Sequence, residues 1–246
     1  AQLDSMRDSL LGFTDLRKSG TELALGMKEF AKAGVDAALA MEDIEEMAKL
    51  ATLAEVDMAK TTELVIGQTN AFGGTFSDTA NKIAAASLSS ATTIERMATA
   101  LSYTTELGTV MGFTIDDVAT ALALLANKGI QASKAGTALR TGFLKMLSPS
   151  NKALSIMKKL NVEFTAYAAD GTINSLETQL RDLSDATSHL VGTKNLPILL
   201  KELVGLRALK GVGNLLTEMN GAFTEMKDTV SGATEGVGFL SEKAEE

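Results

Sequence analysis

Residues 125–140 read LANKGIQASKAGTALR, and the fold turns on what the two glycines in this stretch do. Gly136 followed by Thr137, with Lys134 just before, invites comparison with a phosphate-cradling loop. That loop needs Gly-x-x-x-x-Gly-Lys-Ser/Thr after a strand. Here the lysine precedes the glycine, the threonine follows it directly, and the preceding segment has helical periodicity. Helix grammar accounts for the stretch better. Gly129 can take the left-handed conformation after Lys128 and end a helix that starts at Thr114. Ile130 then falls where a Schellman turn places an apolar contact with Leu125. Ala132, Ala135 and Gly136 share a face of the next helix and let a neighbouring backbone approach closely.

Working outward, Ile115, Val118, Ala119, Leu122, Leu125 and Ala126 recur at helical intervals and predict an amphipathic stripe. Ala132, Ala135, Gly136, Leu139, Phe143 and Met146 form a second stripe, ended by Ser148-Pro149-Ser150. A capping-box pattern recurs at Asp43, Thr75 and Thr114, with a degraded copy at Thr93 where Arg96 replaces the acid. Helix starts are expected at all four. Their irregular spacing argues against a strict solenoid. Residues 152–160 predict a short helix with Lys158-Lys159 at its negative end. Val162 to Tyr167 alternates apolar with polar or small residues before the turn signal Asp170-Gly171, so a β-hairpin is expected there.

Leu176, Leu180, Leu183, Ala186 and Leu190 return to helical spacing, and Leu196-Pro197 marks another helix start. Upstream, residues 1 to 20 are polar and expected to fray, and residues 21–40 predict an Ala-rich helix interrupted by Gly26 and Gly34. Glycines thicken after Gly205, through Gly236 and Gly238, so a flexible tail is expected from about Asp228. The fold class expected is mostly α, a multi-helix bundle or irregular helical array with one short β-hairpin near residues 162–173. The expected division is an N-terminal helical segment (1–40), a core helical domain (41–215) and a Gly-rich, flexible C-terminal segment (216–246).

Composition agrees with helix-on-helix packing. Of 246 residues 45% are hydrophobic but only 4% aromatic, with no Trp and two Pro, which disfavours a β-sandwich. A net charge of −8 with scattered Lys and Arg argues against tracking nucleic-acid phosphates. Cysteine is absent, excluding disulfides and thiolate metal sites. No apolar run reaches a membrane span, and surface-lying helices favour basic faces and Trp, so mutual packing of the stripes is favoured. The chain opens on Ala1 without a signal peptide, which suggests a fragment of something longer.

No catalytic constellation emerges. His189 is the lone histidine, and Asp182, Asp185 and Ser188 lie near it, but proximity along a helix is not triad geometry. The pairs Glu45-Glu46 and Asp116-Asp117 point about 100° apart on a helix. No EF-hand-like run is present. No enzyme activity, cofactor or metal site is therefore expected. Arg140 and Arg207 each follow a small or apolar run. Arg140 can bond carbonyls at a helix C-terminus, pair with an acid at a helix junction, or lay its stem on apolar surface with its head in water.

Three runs carry a resemblance: Gly112-Phe113-Thr114-Ile115-Asp116-Asp117-Val118-Ala119, Leu124-Leu125-Ala126-Asn127-Lys128-Gly129-Ile130, and Ala135-Gly136-Thr137-Ala138-Leu139-Arg140. Together they resemble the core region of phage tail tape-measure proteins. The likeness continues through Leu147-Ser148-Pro149-Ser150, Asn161-Val162, Asp170-Gly171 and the segment from Leu176, and covers most of residues 40–215. It fades at Leu203-Val204-Gly205-Leu206-Arg207-Ala208, where the family tends to have Phe-Gly-x-Arg-Ala. The residues singled out as structural motif are Gly129, Ile130, Ala135, Gly136, Thr137, Leu139, Arg140, Gly205 and Arg207.

The resemblance implies a non-enzymatic virion structural protein of a long-tailed phage or prophage, sited in the tail and, during assembly, in the host cytoplasm. Family members lie inside the tail tube, help set tail length, and leave before or with the DNA. Implied partners are further copies of itself, the tail tube protein, tail-tip or baseplate proteins and tail assembly chaperones. Sequence-specific nucleic-acid binding is not implied, and membrane contact is left open for genome ejection. A membrane-active or channel-forming helical protein is the alternative reading. The glycine and proline breaks point to a folded module rather than the ruler rod itself.

Overall fold

A computed structural model describes residues 18–233 and 240. Thirteen α-helices follow one another among them. The first six are α1 (Gly20–Lys32), α2 (Ala37–Ala54), α3 (Met58–Phe72), α4 (Phe76–Leu88), α5 (Ile94–Ser102) and α6 (Thr105–Thr109). The next four are α7 (Ile115–Asn127), α8 (Ala132–Leu147), α9 (Asn151–Lys159) and α10 (Leu176–Thr187). After a 3-10 turn at Ser188–Leu190 come α11 (Asn195–Val204), α12 (Leu206–Glu218) and α13 (Ala222–Gly232). None of the described helices is long and apolar enough to cross a membrane.

Side-chain oxygens start most of these helices. Thr75 Oγ1 accepts from the Asp78 N–H at 3.1 Å, Thr93 from Arg96 at 3.2 Å, and Thr114 from Asp117 at 3.2 Å. Each satisfies a backbone donor that the first turn leaves unpaired. Asp43 is different. It lies inside α2, which already starts at Ala37 with Asp36 Oδ1 accepting from the Ala38 N–H at 2.9 Å. Gly26 does not interrupt α1 either, because it meets Ile44 and Met58 side chains at close range. Gly34, at φ 75°, does follow the end of α1.

Helix α7 is the axle of the molecule. It packs against α4, α5, α8, α10, α12 and α13. The sequence predicted one apolar stripe along it, yet Thr120, Ala121, Ala123 and Leu124 on the remaining faces are buried as well. A helix apolar or small on every side is stable only when surrounded, and IDDVATALALLAN meets that condition. Around it one contiguous core runs from Leu23 to Leu240. Two edge-on phenylalanine pairs, Phe30–Phe76 and Phe113–Phe143, supply part of its aromatic packing. Residues 222–232, within the stretch expected to be flexible, form α13 and bury Phe223 and Val230. The frayed segment expected before residue 18 lies outside the described residues, as do Gly236 and Gly238.

The expected hairpin at 162–173 does not form. A lone antiparallel bridge joins Tyr167 to Ile173, and no sheet exists among the described residues. Val162 is committed elsewhere: its N–H donates to the Met157 carbonyl at 2.9 Å while Asn161 holds φ 52°. Asn161-Val162 is thus a Schellman turn closing α9. Tyr167 donates its N–H to Thr165 Oγ1 at 3.2 Å rather than to a partner strand. The far end of the chain reaches back to the first half: Leu240 is fully buried, and its N–H donates to Oδ1 of the buried Asn81 at 3.0 Å.

Candidate functional site

The stretch 125–140 turns α7 into α8. Gly129 sits at φ 73°, its N–H donating to Ala126 and the Ile130 N–H to Leu125, both at 2.9 Å. This is the six-to-one and five-to-two bonding of a Schellman turn. Ile130 is buried behind it. Lys128, just before the glycine, pairs with Glu218 at the end of α12 at 2.7 Å.

Helix α8 then runs between α5 and α12, thinned on both sides. A Cβ at Gly136 would lie 2.2 Å from the Ala100 carbonyl oxygen and 2.8 Å from Tyr103 Cβ. On the other side, a Cβ at Gly142 would meet Val212 at 2.7 Å, and one at Gly211 would meet Ala138 Cβ at 2.9 Å. Ala135 and Leu139 are fully enclosed. Arg140 resolves the three sequence alternatives in favour of an acid at a helix junction. Its Nε donates to Glu106 Oε2 at 2.6 Å and its Nη2 to Oε1 at 3.0 Å, reaching α6 as a two-pronged pair. Both side chains are nearly half exposed. Gly205, at φ 82° and ψ 162°, joins α11 to α12, and a Cβ there would lie 2.6 Å from Lys145 Nζ.

Four of the singled-out residues, Gly129, Ile130, Thr137 and Arg207, meet at one cleft of about 490 Å³, together with Ser133, Lys134 and Lys210. Gly136 and Arg140 face α5 and α6, and Gly205 lies at the head of α12. Lys210 was not singled out from sequence, although its three-residue spacing from Arg207 puts both on one helix face. A larger cleft of about 1000 Å³ opens between α9 and α10, with Met157, Val162 and Phe164 beside Glu163, Asp182 and Asp185.

Asp116 ties α7 to α4 through Lys82 at 3.1 Å. Glu45 and Glu46 both hold Lys49 within α2, at 2.7 and 2.9 Å, and Glu46 Oε2 also accepts from Asn81 Nδ2 of α4 at 3.2 Å. Asp117 is almost wholly buried and lies 2.7 Å from Lys227 of α13, which also binds Glu177 of α10 at 2.8 Å. Burial pushes the Asp117 carboxyl above its ordinary value, against the pull of Lys227. The hydrogen bond from Lys227 holds Glu177 below its ordinary value. Burial opposes the charge on Lys227, but its contacts with the two acids carry it above the usual lysine range. Lys227 is invisible to a local reading, because its partners lie 110 and 50 residues away.

His189 stands on the 3-10 turn, exposed, with Nε2 2.9 Å from the Leu160 carbonyl oxygen. Ser188 Oγ donates to the Asp185 carbonyl at 2.8 Å. These residues fasten the end of α10 and form no relay. Among the described residues no cluster of three or more His, Asp or Glu could hold a metal ion.

Comparison with known proteins gives the family of the chain. The chain matches the phage-related minor tail protein family over residues 7–205. It is similar to the “Tape measure protein” of Pneumococcus phage Dp-1, with 28% identity over 190 residues. That alignment covers 71% of this chain and 16% of the relative, so the chain spans about a sixth of that protein's length. No solved structure matches. With the family match extending over most of its length, the chain belongs to the phage-related minor tail protein family.

Proposed function

We propose that this chain is a non-enzymatic structural component of a phage tail, a folded helical module within a tape-measure protein. The family match over residues 7–205 supports the tail role, and the helix lengths support the module. A ruler must be extended, at about 1.5 Å per helical residue, and long rods need sustained heptads. The longest described helix has 18 residues, and the helices fold back on one core. The module acts in tail assembly, length determination and genome delivery through helix–helix contacts. Its partners are further copies of itself, the tail tube, tail-tip or baseplate proteins and assembly chaperones. It resides in the virion tail, and in the host cytoplasm while tails are built. Residues 1–40, 41–215 and 216–246 serve as N-terminal segment, core and C-terminal segment.

In-frame deletion of the module from its parent, followed by tail measurement in the electron microscope, tests this. A rod of 246 residues would account for about 370 Å of tail. Tails of nearly normal length, or none at all, are expected. Shortening in simple proportion to the residues removed would refute the folded module.

A further inference from the structure

We infer that the cleft between the start of α8 and α12 is a binding site for a phosphate-bearing ligand of roughly nucleotide size. Lys134 arrives from α8, and Arg207 and Lys210 from α12, around a cavity of about 490 Å³. No acidic residue lines it, although acids outnumber bases in the chain, 31 to 23. Three like charges in one cavity repel each other, and an anion carrying two or more charges relieves that repulsion. A single carboxylate would offset only one of the three.

The surroundings suit the same chemistry. Ser133 and Thr137 bring hydroxyl groups to the cavity. Ile130, Ala138 and Gly211 add an apolar wall for the rest of the ligand. The volume exceeds that of one phosphate and lies in the range of small-molecule sites. A net charge of −8 works against a polyanion running on beyond the cleft, which favours a compact ligand over a nucleic-acid track. The sequence is still no P-loop; the second wall of the site comes from residues some 70 positions away.

Calorimetric titration of the 246-residue chain with pyrophosphate, with ATP, and separately with a single-stranded oligonucleotide tests the inference at constant ionic strength. Saturable binding of pyrophosphate and ATP is expected, with sulfate a weak competitor. Combining Lys134→Ala, Arg207→Ala and Lys210→Ala should weaken it roughly tenfold or more, while Lys201→Ala, outside the cleft, leaves it unchanged. All three cations are exposed, and an unchanged melting curve verifies that the triple variant folds. Three results overturn the site: no saturable binding, equal binding by the triple variant, or sulfate matching pyrophosphate. Binding of the oligonucleotide alone overturns it as well, by making the cleft part of a nucleic-acid track.

Discussion

Helices α8 and α13 both lie against α7, and they are held by opposite means. Around α8 the partners come close because atoms are missing at Gly136, Gly142 and Gly211. Around α13 they are tied by one cation, Lys227, between Asp117 and Glu177. The glycine seam has no give at Gly136, where the opposing atom is a backbone carbonyl. The charged seam can adjust by rotating side chains or taking up a proton. The first is therefore sensitive to volume and indifferent to pH, and the second is the reverse.

Gly136→Ala should have the largest effect. Separating α5 from α8 to admit one methyl is expected to cost about 3 kcal/mol, lowering Tm by roughly 6–12 °C in a chain of this size. The loss should be the same at pH 7 and pH 4. A loss below about 1 kcal/mol would mean that the seam yields like any other surface.

Lys227→Met comes next, at about 2 kcal/mol near pH 7, below the usual cost of stranding a buried charge because Asp117 can neutralise itself. The sign with pH follows from both acids. Asp117 titrates above its ordinary value, so the fold loses stability as pH rises from that value through the raised one, more so without Lys227. Glu177 titrates below its ordinary value, so the stability it gains from Lys227 exists above that value and is lost as pH falls through the lowered one. The gap between variant and parent should therefore narrow in acid. Urea unfolding at pH 7 and at a pH near 3.5 measures it, and a constant gap would break the contrast with α8.

Arg140→Ala should matter least. The pair with Glu106 is two-pronged but nearly half exposed, so its removal is expected to cost under about 1 kcal/mol. High salt should erase most of the difference. A larger, salt-insensitive loss would place Arg140 with the packed seam instead.

What could be read in advance was local. Thr75, Thr93 and Thr114 announce their helices because the cap and its donor lie three residues apart. The Gly129-Ile130 turn is legible for the same reason. Asn161-Val162 follows the same rule, with Asn in the left-handed position instead of Gly. From Val162 onward the alternation mimics a strand and hides the turn, and Glu55-Val56 and Gly34-Val35 end their helices in like fashion. Asp43 misled because its pattern copies a cap while Asp36 had already supplied one. The close approach at Gly136 was expected, but not its partner Ala100. Neither the Lys227 ties nor the two-helix cleft could be found, since each joins elements whose pairing only the assembled fold decides.

One contact also sets a clock. The amide of Leu240 that satisfies buried Asn81 lies 159 residues further along the chain. At a synthesis rate of about 5–20 residues per second, roughly 8–32 s pass between the making of residue 81 and of its partner. Until then the side-chain amide oxygen of Asn81 lacks its native donor, and α4 gains that partner only after all thirteen described helices have been made.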